Sequence, residues 1–115
     1  MATTTFALPI AADKIEAVRG FVAELLGPRR AEFEESWRQK GITKETAWLQ
    51  EVPNGALVLV SMEAEDLGRV FRELAVSDTP FDRWYRQTVL DIYGVDLTET
   101  ASRPPNELLA SWEAH

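Results

Sequence analysis

The hydrophobic pattern of this chain changes period several times, and each change marks an element. From Thr3 to Ile10, Phe6, Leu8 and Ile10 alternate with Thr5, Ala7 and Pro9, the period-two signature of a strand. From Ile15 the period becomes helical: Ile15, Val18, Phe21, Val22, Leu25 and Leu26 form one stripe. Asp13, with Glu16 three residues on, has capping-box spacing at its start. Gly27-Pro28 breaks this helix, and Pro28 suits the first position of a second piece carrying Phe33 and Trp37 one turn apart. Gly41 is the expected stop.

Thr46 to Val52 reads as a second strand and the apolar run Ala56 to Met62 as a third. Pro53-Asn54-Gly55 between them predicts a tight hairpin turn with Gly55 at positive φ. A helix is expected from about Asp66 to Ser77, with Leu67, Val70, Phe71 and Leu74 on one face. Thr79-Pro80 caps another, with Asp82 in its first turn to accept a backbone N–H and Phe81, Trp84, Tyr85, Thr88 and Ile92 on its buried side. Gly94 ends it. Asp96 to Asn106 reads as loop, and Leu108 to Trp112 as a short last strand.

This order predicts an α+β chain with the β-α-β-β-α-β pattern of a ferredoxin-like fold, one domain over residues 1–115. Helices on one side of the sheet leave the other side bare. Both alternating sets on the third strand are apolar: Val58, Val60 and Met62 on one side, Leu57 and Leu59 on the other. A bare apolar face predicts a partner, and two sheets packed face to face make a homodimeric α/β barrel.

Composition narrows the chemistry. At 45% hydrophobic and 27% charged residues, the chain has an ordinary globular composition. The net charge is −7, and six of the seven excess acids lie in residues 58–115, which predicts no nucleic-acid partner. No apolar run is long enough for a membrane span, and the N-terminal stretch lacks the basic start of a secretory leader, so the expectation is a cytoplasmic protein without a membrane partner. Cysteine is absent and the only histidine is His115. Thiol chemistry, a Ser–His–Asp arrangement around Ser61 and sites for soft or borderline metals fall away with them, so neither a metal nor a cofactor is expected. Glu32, Glu34 and Glu35 read as a solvated helix face.

Three stretches carry a family resemblance: Glu45-Thr46-Ala47-Trp48-Leu49-Gln50-Glu51, Met62-Glu63-Ala64-Glu65-Asp66, and Ser77-Asp78-Thr79-Pro80-Phe81-Asp82-Arg83-Trp84. The chain resembles a family of small bacterial proteins of the dimeric α/β-barrel group, from about Lys14 onward. The family has no assigned reaction. The wider group includes cofactor-independent monooxygenases of antibiotic biosynthesis, haem-degrading enzymes and muconolactone-isomerase-like proteins. Some haem-binding members use a histidine in the barrel, and this chain offers none there.

The candidate site follows from the bare face. Trp48 and Gln50 share one side of the second strand, and Ser61 and Glu63 one side of the third. If these sides line a barrel cavity, they supply an apolar wall with a few polar groups, the usual make-up of a small-molecule pocket. Trp84 is expected as a further wall. Glu51 and Glu63, on adjacent strands, would be acid/base partners if they shared a face. Two functions remain open: binding of a small, mostly apolar organic molecule with cofactor-independent catalysis, or a non-catalytic interaction module with a filled barrel.

Overall fold

The structure is a computed structural model that describes residues 2–99 and 106–115. Strand β1 (Ala2–Ala11) leads through a 3-10 turn at Ala12–Lys14 into helices α1 (Ile15–Leu26) and α2 (Arg30–Gln39). Strands β2 (Ile42–Val52) and β3 (Gly55–Ala64) form the hairpin, followed by α3 (Leu67–Val76) and α4 (Pro80–Tyr93). The sheet order is β1-β3-β2, with both neighbours antiparallel to β3. β1 and β2 therefore run parallel with β3 between them, the split arrangement that a helical crossover permits. This three-stranded α+β architecture with four helices is compatible with a ferredoxin-like fold.

The core lies on one side of the sheet. Every even-numbered residue of β3 from Ala56 to Ala64 is buried, while the odd-numbered ones are half-buried. Ile10, Val18, Ala56, Val58 and Val60 form one apolar cluster. Phe21, Leu25, Trp37, Ile42, Met62, Val70, Leu74, Phe81 and Val89 belong to the other, richer in aromatic rings. Trp37 makes an edge contact with Tyr85 at 4.9 Å between ring centres and a tilted contact with Phe33 at 4.8 Å. Aromatic pairs in such orientations contribute about 0.5–1.5 kcal/mol beyond the area they bury.

Several local expectations are revised. Asp13 does not cap α1: the 3-10 turn intervenes, and Lys14 is the N-cap without a side-chain bond. Pro28 lies in the turn before α2, which starts at Arg30. In the hairpin, the left-handed residue is Asn54 (φ 69°), not Gly55. Gly55 serves a different purpose: a Cβ there would sit 2.4 Å from the carbonyl oxygen of Ile10, so its missing side chain lets β1 and β3 meet. Gly41 (φ 78°) and Gly94 (φ 70°) do take the left-handed conformation at the ends of α2 and α4. Asp66 and Thr79 cap α3 and α4, accepting from the backbone N–H groups of Arg69 and Asp82.

The expected last strand is not formed. Residues 106–115 have no secondary structure, and Leu108, Leu109 and Trp112 are exposed. Most of the polar loop expected over Asp96 to Asn106 lies outside the described residues.

Candidate functional site

The pairing register fixes what the bare face presents. Ala7, Leu59 and Trp48 form one cross-strand row, Pro9, Leu57 and Gln50 the next, then Thr5, Ser61 and Thr46, and Thr3, Glu63 and Lys44. Four of the expected site residues, Trp48, Gln50, Ser61 and Glu63, thus share this face. It is an open surface, and Trp48 is 54% exposed on it. Trp84 is not among them. It lies on the helix side, against Phe21 at 5.6 Å and Phe81 at 5.7 Å, with the Arg29 guanidinium 4.0 Å from its ring. Glu51 and Glu63 are not partners either. Glu51 pairs with Ala56 at the turn end and Glu63 with Lys44 at the far end, on opposite faces.

A cleft of about 470 Å³ lies instead on the helix side, between α1, α2 and β2. Val22, Leu25, Leu26, Phe33, Ile42 and Ala47 make it largely apolar, with Trp37 and Glu45 in its wall and Glu34, Arg38 and Lys44 also lining it. Its size and lining match the usual range of small-molecule sites.

Glu45 is the unexpected member. It stands opposite Met62 in the register, so it points to the core side of β2, where a charged residue is uncommon. The indole N–H of Trp37 donates to its Oε2 at 3.2 Å. Burial pushes the Glu45 carboxyl above the usual glutamate range, and the Trp37 bond offsets only part of that rise. Burial also holds the Tyr85 hydroxyl well above the usual phenol range, with the charge of Glu45 adding to the effect; Tyr93 is shifted the same way by the same two causes. Tyr85 is therefore a hydrogen-bond donor and not a base at neutral pH. A carboxyl whose proton affinity lies closer to neutrality than an exposed one is suited to general acid or base work. The sequence carries a signal for it: Glu45 keeps the parity of Ala47 and Leu49, which marks the core face of β2.

A second polar cluster is largely buried, with Ser77 half-buried at its edge. Lys40 at the end of α2 donates to Asp82 Oδ2 at 2.9 Å and Oδ1 at 3.1 Å, and to Ser36 Oγ. Ser36 and Ser77 hydroxyls donate to the same carboxylate at 2.7 and 2.5 Å. Burial alone would raise the Asp82 carboxyl, but these bonds and the ammonium charge hold it below the usual aspartate range. With every group bonded, the cluster ties α2 to α4 and leaves nothing free for a substrate. Among the described residues, no group of three or more potential metal-ligating side chains is found.

Comparison with known protein families, curated proteins and solved structures finds no match for this chain.

Proposed function

We propose that this protein binds a small, mostly apolar organic molecule in the cleft between α1, α2 and β2, with Glu45 placed to exchange a proton with it without a cofactor. The carrying observation is the cleft itself: a largely apolar space of about 470 Å³ with the Glu45 carboxyl, held by an indole N–H, in its wall. The pocket thus falls on the opposite side of the sheet from Trp48, Gln50, Ser61 and Glu63.

The bare face then serves assembly. Ala7, Pro9, Leu57, Leu59 and Trp48 offer an apolar patch whose burial against a second copy is worth about 25 cal/mol per Å². We read the fold as a ferredoxin-like unit of a homodimeric α/β barrel. The split arrangement of β1 and β2 around β3 supports that reading. The exposed apolar patch also favours a second function, a non-catalytic interaction module whose sheet faces fill one another.

Thermal denaturation with neutral 4-phenylbutanamide tests the cleft. A saturable rise in Tm is expected, because a ligand that binds the native state raises its apparent stability. Ala47→Trp, at the exposed edge of the cleft, should remove the rise while leaving the circular dichroism spectrum unchanged. No saturable rise with the amide, its acid or its amine analogue would overturn the cleft as a binding site.

A further inference from the structure

The cleft lining is balanced in charge, Glu34 and Glu45 against Arg38 and Lys44, where the chain as a whole is acidic. The protein carries a net charge of −7, yet two of the polar groups lining the cleft are Arg38 and Lys44. Among the described residues, neither has a carboxylate within ion-pair distance. The other basic residues nearby are engaged. Arg29 pairs with Glu24 at 2.6 Å, Arg30 with Glu34 at 3.7 Å, and Lys40 with Asp82 at 2.9 Å. Glu34, the acidic group beside Arg38 in the cleft lining, thus already has a cation at hand. Glu45, the remaining acid, is shifted toward its neutral form by burial. Arg38 is exposed on α2; Lys44, which the register sets in the bare-face row beside Glu63, stands at the irregular start of the edge strand β2 and also lines the rim of the cleft where it opens to water.

We propose that the ligand of this cleft is an organic acid: an apolar body lying against Leu25, Phe33 and Ile42, and a carboxylate or comparable anionic head met by Arg38 and Lys44. The proposal rests on the cleft being the small-molecule site. Charge complementarity chooses the class. A neutral apolar molecule would leave both cations without a counter-charge. A cationic amphiphile would meet them as repulsion at the entrance. An anion gains charge-assisted hydrogen bonds, roughly twice as strong as neutral ones, and Arg38 can give two parallel donors to a single carboxylate. Burial raises the proton affinity of Glu45, which lessens its opposition to an anionic head.

Three probes of one shape separate the possibilities: 4-phenylbutanoate, 4-phenylbutanamide and 4-phenylbutylamine. Affinities are measured by titration calorimetry at low salt and neutral pH on the full chain. The acid should bind about tenfold or more tightly than the amide, and the amine most weakly, against the trend expected from the net charge alone. In an Arg38→Gln, Lys44→Gln double variant, the preference for the acid over the amide should vanish. Equal binding of acid and amide by the unaltered protein would overturn the organic-acid assignment and leave the cleft standing as a site. Tightest binding of the amine would overturn it in favour of a cationic ligand. Binding of none of the three would overturn the assignment together with the reading of the cleft on which it rests.

Discussion

Lys40 Nζ lies 2.9 Å from Asp82 Oδ2 in a place closed to water, the two side chains being 4% and 3% exposed. The ion pair joins the last residues of α2 to the first turn of α4, elements far apart in sequence. Such a pair need not add net stability over an apolar substitute, but breaking it strands a buried charge.

Lys40→Met should therefore destabilise the fold by about 3–5 kcal/mol in chemical denaturation, because Asp82 is left ionised without its cation. A Lys40→Met, Asp82→Leu double variant should recover much of that loss. A double variant as unstable as Lys40→Met alone would show that the serine hydroxyls, and not the charge pair, dominate.

The same cluster sets a response to acid. The Asp82 carboxyl is held below its ordinary value by hydrogen bonds and the Lys40 charge, against the opposing effect of burial. A group depressed in the folded state contributes stability that is present above its unfolded pKa and is lost as pH falls through the folded one. Below about pH 4, the unfolded aspartate value, the protein should lose stability that an Asp82→Asn variant, already destabilised, no longer has to lose.

Glu45 works in the opposite sense. Its carboxyl is raised by burial, so the folded state binds a proton more readily than the unfolded one, and stability falls as pH rises from the unfolded glutamate value through the folded one. Glu45→Gln keeps an acceptor for the Trp37 indole and removes the charge. Its Tm should exceed that of the unaltered protein at pH 8, and the gap should close near pH 4. A gap that persists at pH 4 would mean the glutamate destabilises through shape and not through charge.

Two glycines offer a matched pair. Gly55→Ala drives a Cβ toward the Ile10 carbonyl oxygen and should cost about 1–3 kcal/mol by forcing β1 off β3. Gly20, inside α1 with nothing within 4 Å of its would-be Cβ, should gain about 0.5–1 kcal/mol as alanine. Urea midpoints read both.

For the bare face, sedimentation equilibrium at micromolar concentration should give twice the 13.0 kDa chain mass. Leu59→Lys, at the centre of the patch beside Ala7 and Trp48, should yield a folded monomer. A monomeric unaltered protein would end the barrel reading.

How far these relationships could be read from the sequence depends on their range. The alternation of β1, the apolar run of β3, the stripe of α1 and the caps at Thr79 and Gly94 are local signals, and the structure follows them. Asp82 was legible as a first-turn acid, yet it bonds Ser36, Ser77 and Lys40, because its neighbours are decided by how α2 packs on α4. Trp84 stood at core spacing and is in the core; assigning it to the barrel wall required knowing which side of the sheet the helices cover. Leu108 to Trp112 is apolar enough to read as a short strand, but a strand exists only where an edge accepts it. Glu45 was hidden by type: a glutamate on a core parity becomes visible once β2 is paired opposite Met62.

The strand order also imposes a timetable on folding. β2 and β3 are joined by Pro53 and Asn54 alone, so their pairing closes the shortest loop in the sheet, whereas β1 must find β3 across the whole α1–α2 crossover. Hairpins form in about 1–10 microseconds, and contacts distant along the chain come later because their loop entropy must be met first. The N-terminal strand is thus expected to dock last and to open first, with its amides exchanging hydrogen before those of the hairpin. Gly55, where β3 both leaves the turn and receives β1, is the position at which the early event makes room for the late one.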